Sequence, residues 1–396
     1  MKIYIVGIGM DGSKTLTYEA KKAIENADVL IGAKRMTEPF AALGKKMLES
    51  WKTDEICAFL DSCGYENAAV LMSGDCGFYS GAERLKTALA GHETETIPGI
   101  STPVYMCAKL GLSWQDTHFV SLHGADSNIV RNVCGHGKCF FLLGGDITPA
   151  DICRRLCEYD MGDIRVHIGA RLAYPDELIL SGTASELTEV KCDGLCAVMT
   201  ENGAPEKCVR YGITDSEFER GNVPMTKSEI RAAVASKLKI CYNDIVWDIG
   251  CGTGSVSVEC ALAAAEGTVF AVDRNDEAVD LTEKNARKFG CDNIRVICGD
   301  APGALHGLPL PDKVFIGGAG GNISEITAAA KANGNTPDIV ITAVTVETLN
   351  EAVGALQEHG ITPQVTQLSV TRTRAVGSHT MFDAQNPVFI IEGAAK

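Results

Sequence analysis

The chain has 396 residues, a hydrophobic content of 45% and a formal net charge of −15. This length allows two or three domains with cores of their own. The acidic balance disfavours a general nucleic-acid binder, and no apolar run is long enough to span a bilayer. The N-terminus enters a strand pattern without the apolar core of a signal peptide, so we expect a cytoplasmic protein without nucleic-acid or membrane partners.

Sixteen cysteines stand out in the composition. They form no C-x-x-C pair, and several lie in apolar runs, including Cys107, Cys241, Cys260 and Cys298. In a chain without a secretion signal this pattern predicts small buried side chains and no metal site.

The first half alternates strand and helix patterns. A strand at residues 3–6 leads into Gly7-Ile-Gly9-Met-Asp-Gly12 and a helix at 15–26. This is the G-x-G-x-x-G order of a dinucleotide-binding turn. The next strand, 28–31, ends in Gly32 and lacks the acid that would bind a ribose, so the motif alone predicts only a strand-to-helix turn.

Two further blocks follow strand patterns. They are Ser73-Gly-Asp-Cys-Gly-Phe-Tyr-Ser80 and Pro98-Gly-Ile-Ser-Thr102. With the first glycine turn, they resemble the tetrapyrrole (class III) methyltransferases, which carry Gly-Asp-Pro and Pro-Gly-Ile-Ser-Ser. Cys76 stands in place of the proline, and Thr102 in place of the second serine.

That resemblance covers roughly residues 1–210. It implies an α/β fold of two lobes that hold S-adenosylmethionine between them. It also implies that Gly9 contacts substrate. The cofactor-binding residues implied in this half are Asp75, Phe78, Ser101 and Thr102.

Residues 211–222 are polar and lack a period, so we predict a linker between a first domain, 1–210, and a second, 223–396. Residues 223–238 then predict an amphipathic helix. Thr226 and Glu229 have the spacing of a capping box at its start.

An acid and a glycine turn dominate the second half. A strand pattern ends at Asp248 and breaks into Gly250, Gly252 and Gly254 before a helix pattern. The third glycine comes one residue too early for a dinucleotide fingerprint. Free N–H groups at the helix start favour a nearby anion.

Two more strand ends carry acids. The strand at 268–272 ends in Asp273, which can accept hydrogen bonds from ribose hydroxyls. The strand at 294–298 leads to Asp300. Together these features resemble class I S-adenosylmethionine-dependent methyltransferases, which implies a Rossmann-like sheet and a second cofactor site. The implied cofactor-binding residues are Asp248, Gly250, Gly252, Gly254, Asp273, Asp300 and Ala301.

Two segments narrow the resemblance. Pro224-Met-Thr-Lys227 and Gly317-Gly-Ala-Gly-Gly321 are similar to those of the decarboxylating corrin-precursor methyltransferases of cobalamin biosynthesis, which usually have serine where Ala319 stands. The fused form of that family has the tetrapyrrole-type half first. The resemblance implies catalytic roles for Thr226 and Lys227, and self-association through the second domain.

It also implies a bifunctional enzyme. A tetrapyrrole substrate of the precorrin-6 type would be methylated at carbon 5 by the first half and at carbon 15 by the second. Loss of the ring C acetate carboxyl as CO2 would accompany the second step.

A substrate rimmed with carboxylates needs cations. We predict substrate contacts for Arg231, Arg372 and Arg374, and consider Lys34 and Arg35 in the first half. Residues 371–374 alternate like a strand and place both arginines on one side. Each of the other cations alone is more typical of a solvated surface, and the 371–374 stretch is the exception.

Two alternatives stay open. A methyltransferase with these two cofactor sites could act on another small molecule, a protein or RNA. The first half could also bind cofactor or corrinoid without catalysing a reaction, which the departures at Cys76 and Ala319 would allow.

Overall fold

The computed structural model describes residues 1–122, 128–192, 194–206 and 212–393. The chain forms two compact units. The first takes Met1–Ala125, Gly137–Arg154 and Gly162–Gly203; the second takes Asp126–His136, Arg155–Met161 and Ala204–Lys396. The domain boundary expected between residues 210 and 211 lies outside the described residues.

One sheet of the first unit is fully parallel. Its strands are β1 (Lys2–Gly7), β2 (Val29–Gly32), β3 (Lys46–Glu49), β4 (Asn67–Met72) and β5 (Glu93–Ile97), in the order β3-β2-β4-β1-β5. The helices that alternate with them are α1 (Tyr18–Asn26), α2 (Lys34–Thr37), α3 (Thr53–Ser62), α4 (Ala82–Ala88) and α5 (Thr102–Leu110). The central strands are near-continuous apolar runs because both faces of the sheet are covered.

The other sheet of this unit is mixed. Its strands are β6 (His118–Ser121), β7 (Lys138–Leu142), β8 (Arg165–Ala170), β9 (Leu178–Thr183) and β10 (Cys196–Glu201), in the order β6-β7-β10-β8-β9. Strands β6 and β7 run parallel, and the other pairs are antiparallel. Two helices come from the same part of the sequence, α6 (Ile129–Gly135) and α7 (Pro149–Glu158).

The second unit is built on a seven-stranded sheet with a separate hairpin. The sheet contains β11 (Ile245–Ile249), β12 (Thr268–Asp273), β13 (Ile294–Cys298), β14 (Lys313–Ile316), β15 (Asp338–Ala343), β16 (Gln364–Leu368) and β19 (Val388–Gly393). The two remaining strands are β17 (Thr371–Val376) and β18 (His379–Ala384). Strands β17 and β18 form the hairpin. The helices are α8 (Ser228–Leu238), α9 (Ser255–Ala263), α10 (Asp276–Lys288), α11 (Ile323–Ala330) and α12 (Val346–Glu358).

The order of the large sheet places the candidate site. It reads β13-β12-β11-β14-β15-β19-β16, so the chain moves outward from β11 first to one side and then to the other. In such sheets ligands bind beyond the carboxyl ends of the strands, at the point where the direction changes. That point lies between β11 and β14, where the glycine turn begins.

The segment expected as a linker packs within the second unit. Ile213 and Phe218 are buried in its core. Between them, the side chain and backbone of Thr214 form a capping box with Glu217. The capping box expected at Thr226 is wrong, because Lys227 holds the N-cap position of α8 and makes no side-chain cap.

Helix α6 also belongs to the second unit, although its sequence lies in the first half. The buried carboxylate of Asp292 accepts the backbone N–H of Val130 at 2.8 Å and of Arg131 at 3.1 Å. The side-chain amide of Asn128 donates to the carbonyls of Ala265 and Gly267 at 2.6 and 3.0 Å. These bonds satisfy backbone groups at the start of α6 and in the turn before β12.

The cysteine prediction holds only in part. Cys107 and Cys260 are buried, as expected. Cys241 and Cys298 are exposed, because the first lies in the turn after α8 and the second ends the edge strand β13. In the described part of the chain, no helix is both long and apolar enough to cross a membrane, and no three His, Cys, Asp or Glu side chains group as a metal site would require.

Candidate cofactor-binding sites

A cavity of about 340 Å³ opens at the carboxyl ends of the central strands of the second unit. The segment before α8, the glycine turn after β11 and the turn after β14 form its walls. The expected site residues on its lining are Thr226, Gly250, Gly252, Asp273, Asp300 and Ala301.

The glycine turn is required by close backbone contacts. Gly250 has a φ of +73°, and a Cβ there would lie 2.5 Å from the carbonyl oxygen of Gly318. Gly252 has a φ of +58°, and its Cβ would lie 2.6 Å from the carbonyl oxygen of Pro224. Any other residue would be strained and would push these segments apart. The glycines therefore let three backbone segments meet around one cavity.

Asp273 orients this turn. One oxygen of its carboxylate accepts the N–H of Gly252 at 3.0 Å, and the other accepts the N–H of Asn275 at 3.0 Å. A carboxylate has about four lone-pair directions, so it can still accept ligand hydroxyls. Asp300 is more exposed and has only a loose ion pair with Arg274, at 3.7 Å. Asp273 is therefore the fixed acceptor of the cavity.

Asp248 and Gly254 lie outside the cavity lining. Asp248 is fully buried and accepts the hydroxyl of Ser257, while its Oδ1 has no partner among the described residues. Burial raises the pKa of Asp248 to about 7, although the bond from Ser257 opposes this shift. A Cβ at Gly254 would lie 2.7 Å from the methyl group of Thr282. Both residues contribute to the turn but do not reach the cavity, so we assign them no direct cofactor contact.

Arg231 corrects the expected substrate site. Only 1% of this residue is exposed. Its guanidinium donates at 3.0 Å both to Asp215 and to Glu259. It also donates to the carbonyls of Thr226 and Ile213. With its donors engaged inside the unit, Arg231 cannot bind a substrate carboxylate, and the prediction of a substrate contact is wrong.

Arg372 and Arg374 lie on β17, two residues apart as expected, and both have acidic partners. Arg372 is 2.9 Å from Asp215 and 2.5 Å from Glu229, and these acids raise its pKa. Arg374 is 3.8 Å from Asp383 across the hairpin. Neither arginine lines the cavity. In the described part of the chain, both arginines therefore face acids of the second unit.

The two residues expected to be catalytic occupy different positions. Thr226 lines the cavity, and its carbonyl is fixed by the bond from Arg231 at 2.5 Å. Lys227 is the N-cap residue of α8 and does not appear on the lining.

A second cavity, of about 470 Å³, lies in the first unit between the turn after β4 and the mixed sheet. Three of the residues expected to bind cofactor, Asp75, Phe78 and Thr102, line it. Ser101 is buried at the N-cap of α5. Gly9 is also off the lining and instead exchanges two backbone hydrogen bonds with Gly74, at 3.1 and 2.8 Å.

Asp75 joins the two sequence blocks of this half. Its carboxylate accepts the N–H of Gly77 at 2.8 Å and of Gly99 at 2.9 Å. A Cβ at Gly99 would lie 2.1 Å from the carbonyl oxygen of Gly74, so the two turns touch directly. Cys76, in place of the expected proline, is buried with its thiol 3.5 Å from the carbonyl of Ile97. Burial raises the pKa of Cys76 to about 12, so the thiol stays neutral.

The structure adds lining residues that sequence reasoning did not select. The first cavity is also bordered by Tyr79, Tyr174, Leu195 and Arg35. Of these four, only Arg35 was named from the sequence, as a possible substrate contact. Tyr79 lies inside the block that carries the resemblance, so its position was a usable signal. Leu195 and Tyr174 follow no motif, and only the fold brings them to the cavity.

Replacing Arg231 by methionine should destabilise the second unit by about 3–5 kcal/mol, because Glu259 and Asp215 would lose a buried partner. Urea unfolding followed by the fluorescence of Trp247, which is buried in this unit, measures the change. The control is Arg374→Met, which removes an exposed ion pair and should cost less than about 1 kcal/mol. Similar losses in both variants would contradict this account.

Asp248→Asn tests the buried carboxyl through pH. The folded protein holds this proton up to about pH 7, whereas the unfolded chain releases it near pH 3.8. The wild-type free energy of unfolding therefore falls as pH rises through this window, relative to the asparagine variant, and the difference is constant above it. Urea midpoints between about pH 5 and pH 8 measure this difference. A pH-independent difference would refute the raised pKa.

Two families of known proteins match the chain, one in each half. Residues 2–188 match the family described as Tetrapyrrole (Corrin/Porphyrin) Methylases, and residues 217–393 match the family described as Precorrin methyltransferase domain. A probable cobalt-precorrin-6B C(15)-methyltransferase (decarboxylating) of Pyrobaculum calidifontis is 46% identical over 187 residues, which are 46% of this chain and 96% of the relative.

Two further matches carry the combined name. A crystal structure of precorrin-6Y C5,15-methyltransferase from Geobacter metallireducens is 39% identical and covers 46% of this chain and 95% of its own, with a TM-score of 0.44. The precorrin-6Y C(5,15)-methyltransferase [decarboxylating] of a Sinorhizobium species is 30% identical over 392 residues, which are 97% of this chain and 94% of the relative. The chain therefore belongs to the family of decarboxylating precorrin-6Y C(5,15)-methyltransferases, α/β proteins that join a tetrapyrrole methylase to a precorrin methyltransferase domain.

Proposed function

We propose that this protein methylates precorrin-6Y at carbon 5 in its first unit and at carbon 15 in its second, with loss of the ring C acetate carboxyl as CO2. The observation that carries this proposal is that each unit has a cavity of its own, bordered by the motif of its own methyltransferase family. The net charge of −15 supports a small-molecule acceptor over nucleic acid. A cytoplasmic location without membrane partners is part of the same proposal.

The residues of the second cavity fit S-adenosylmethionine. Its volume of about 340 Å³ lies in the range of small-ligand sites. A Cβ built at Gly318 would meet no atom within 4 Å, so the turn after β14 leaves open space. Asp273 would accept the ribose hydroxyls, and Asp300 with Ala301 would border the adenine. When bound, this cofactor supplies a methyl group on a sulfonium, which a carbon nucleophile can accept.

The first cavity would hold a second molecule of the cofactor. Asp75 and Thr102 offer polar groups at the ends of the two turns, and Phe78 offers an apolar wall. Phe78 is held by edge-to-face contacts with Phe119 and Phe140, whose ring centroids are 5.5 and 6.1 Å away. A fixed wall of this kind limits where a flat nucleoside can lie.

The chain's contribution to methyl transfer is mainly alignment. The acceptor carbon supplies the electron pair, and the protein holds that carbon in line with the methyl group. Thr226 serves this purpose in the second unit, because its segment is fixed to α8 by Arg231. For decarboxylation, the electron pair of the breaking C–C bond enters the conjugated macrocycle, and a proton then replaces CO2 on the exocyclic carbon. Lys227, one residue beyond Thr226, is our candidate for a cation that favours this step.

Mass spectrometry of the product tests the function. Incubation of the full chain with precorrin-6Y and S-adenosylmethionine should add two methyl groups and remove one CO2. Calorimetry should find two cofactor molecules per chain. A wild-type product with one added methyl group would favour a first unit that does not catalyse, and unchanged precorrin-6Y would refute the proposal.

Asp273→Ala separates the two activities in the same assay. It removes two charge-assisted acceptors, so cofactor affinity at the second site should fall about 10- to 100-fold. Methylation at carbon 15 and CO2 loss should then fail, while methylation at carbon 5 continues. Asp280→Ala, an exposed acid on α10, is the matched control. An Asp273→Ala enzyme with unchanged cofactor affinity would remove Asp273 from the site.

We also propose that the protein self-associates through the second unit. The hairpin of β17 and β18 pairs with no other strand in the described part of the chain, so each strand keeps an open edge. Phe382 is 83% exposed on this hairpin, beside the half-exposed Met381. Open edges with exposed apolar side chains favour pairing with a second copy of the hairpin.

Phe382→Ser should lower the molar mass measured by light scattering toward that of a single chain, because it removes the most exposed large apolar side chain of the hairpin. Tyr242→Ser, another exposed aromatic residue of the same unit, should leave the mass unchanged. A wild-type protein that elutes as a single chain at high concentration would refute the proposed self-association.

A further inference from the structure

The lining of the first cavity carries one cation. Among its seventeen lining residues, all of them described, Arg35 is the only lysine or arginine and Asp75 the only acid. Both carboxylate oxygens of Asp75 already accept backbone N–H groups. Arg35 donates to the hydroxyl of Ser73 at 3.3 Å and forms no ion pair within the described ranges. Within the described ranges, no carboxylate therefore lies within the 4.0 Å of an ion pair from the guanidinium of Arg35.

The surroundings of Arg35 differ from those of Arg231 and Arg372. Arg231 and Arg372 are held between acids, whereas Arg35 is exposed at the start of the short helix α2. In a chain with a net charge of −15, an unpaired guanidinium on a cavity wall is a local site of attraction for anions. Its planar set of donors matches a carboxylate.

Tyr79 borders the same cavity in a strained conformation. Its φ is +44°, which is uncommon for a bulky residue. Its hydroxyl donates to the carbonyl of Phe119 at 3.1 Å, and its ring meets Phe78 edge-to-face at 4.9 Å. The residue is nevertheless 54% exposed. Strain of this kind persists where the surroundings fix a side chain, and it is concentrated at ligand sites.

We propose that Arg35 and Tyr79 form the acceptor-recognition subsite of the first unit. Arg35 binds a peripheral carboxylate of the macrocycle, and the ring of Tyr79 lies against its flat conjugated face. The half-exposed Leu195 extends this apolar border. The inference rests on the proposed function, because it takes the acceptor to be a flat polycarboxylate. S-adenosylmethionine also carries a carboxylate, so the test must separate the two ligands.

Steady-state kinetics of Arg35→Gln distinguishes binding of the acceptor from binding of S-adenosylmethionine. The KM for precorrin-6Y in carbon 5 methylation should rise about tenfold or more, because a charge-assisted bidentate contact is lost. The KM for carbon 15 methylation in the same chain should not change, which provides an internal control. Arg35→Lys should recover only part of the loss, since an ammonium is a point charge. Lys86→Gln is the matched control, because Lys86 is an exposed cation of the same unit, on α4, and is not on the lining.

Calorimetry without turnover gives an independent measurement. Titration of precorrin-6Y into Arg35→Gln should show weaker binding at one class of sites, while titration of S-adenosylmethionine still finds two sites of wild-type affinity. Weakened cofactor binding would assign Arg35 to the cofactor and overturn the inference, as would an unchanged affinity for precorrin-6Y. If the wild-type protein fails to methylate carbon 5, the proposed function fails, yet the acceptor titration still decides the subsite.

Tyr79 is tested by substitutions that spare the fold. Glycine adopts a positive φ readily, so Tyr79→Gly removes the ring and relieves the strain together. We expect weaker precorrin-6Y binding at the first unit and an unchanged urea midpoint. Tyr79→Phe keeps the ring and should bind like the wild type. Wild-type acceptor affinity in Tyr79→Gly would remove Tyr79 from the subsite.

Discussion

Both cavities depend on backbone segments that approach too closely for a side chain. In the first unit, a Cβ at Gly99 would lie 2.1 Å from the carbonyl oxygen of Gly74. In the second, a Cβ at Gly250 would lie 2.5 Å from that of Gly318. Each contact brings two strand-end turns together. In the first unit Asp75 also joins these two turns by accepting the N–H groups of Gly77 and Gly99. In the second unit Asp273 instead joins the turn after β11 to the turn after β12. In both units, a cavity thus lies where turns that follow strands meet through close main-chain contacts.

The sequence was sufficient for the parts of the site that are local. Asp273 is the last residue of β12, and Asp75 lies three residues beyond the end of β4. The carboxyl ends of parallel strands share one edge of a sheet. The strand pattern therefore predicts the position of Asp273, whereas Asp75 was selected through the resemblance to the tetrapyrrole methyltransferases. The glycine turns were also predicted, although the reason for them is different. The structure shows that Gly250 and Gly99 accommodate neighbouring backbone, whereas Gly250 was expected only as a cofactor-binding residue.

The cations could not be assigned in this way. Arg231 pairs with Asp215 and Glu259, which are 16 and 28 residues away in the sequence, and nothing in the local pattern predicts their meeting. Arg372 is 157 residues from Asp215. An arginine in an amphipathic helix and one in a strand look alike whether they face solvent, an acid or a ligand. Only the tertiary fold shows that Arg35 alone among these arginines lies on a cavity wall.

Helix α6 lies in the tetrapyrrole methylase domain by sequence but in the second unit by structure. Its residues lie within the sequence of the tetrapyrrole methylase domain, yet its N–H groups at Val130 and Arg131 bind the buried Asp292 of the second unit. A protease that cut between the two family domains would thus release a precorrin methyltransferase fragment without the amide donors of one of its buried carboxylates. The second unit of this chain therefore includes a helix whose residues belong, by sequence, to the tetrapyrrole methylase domain.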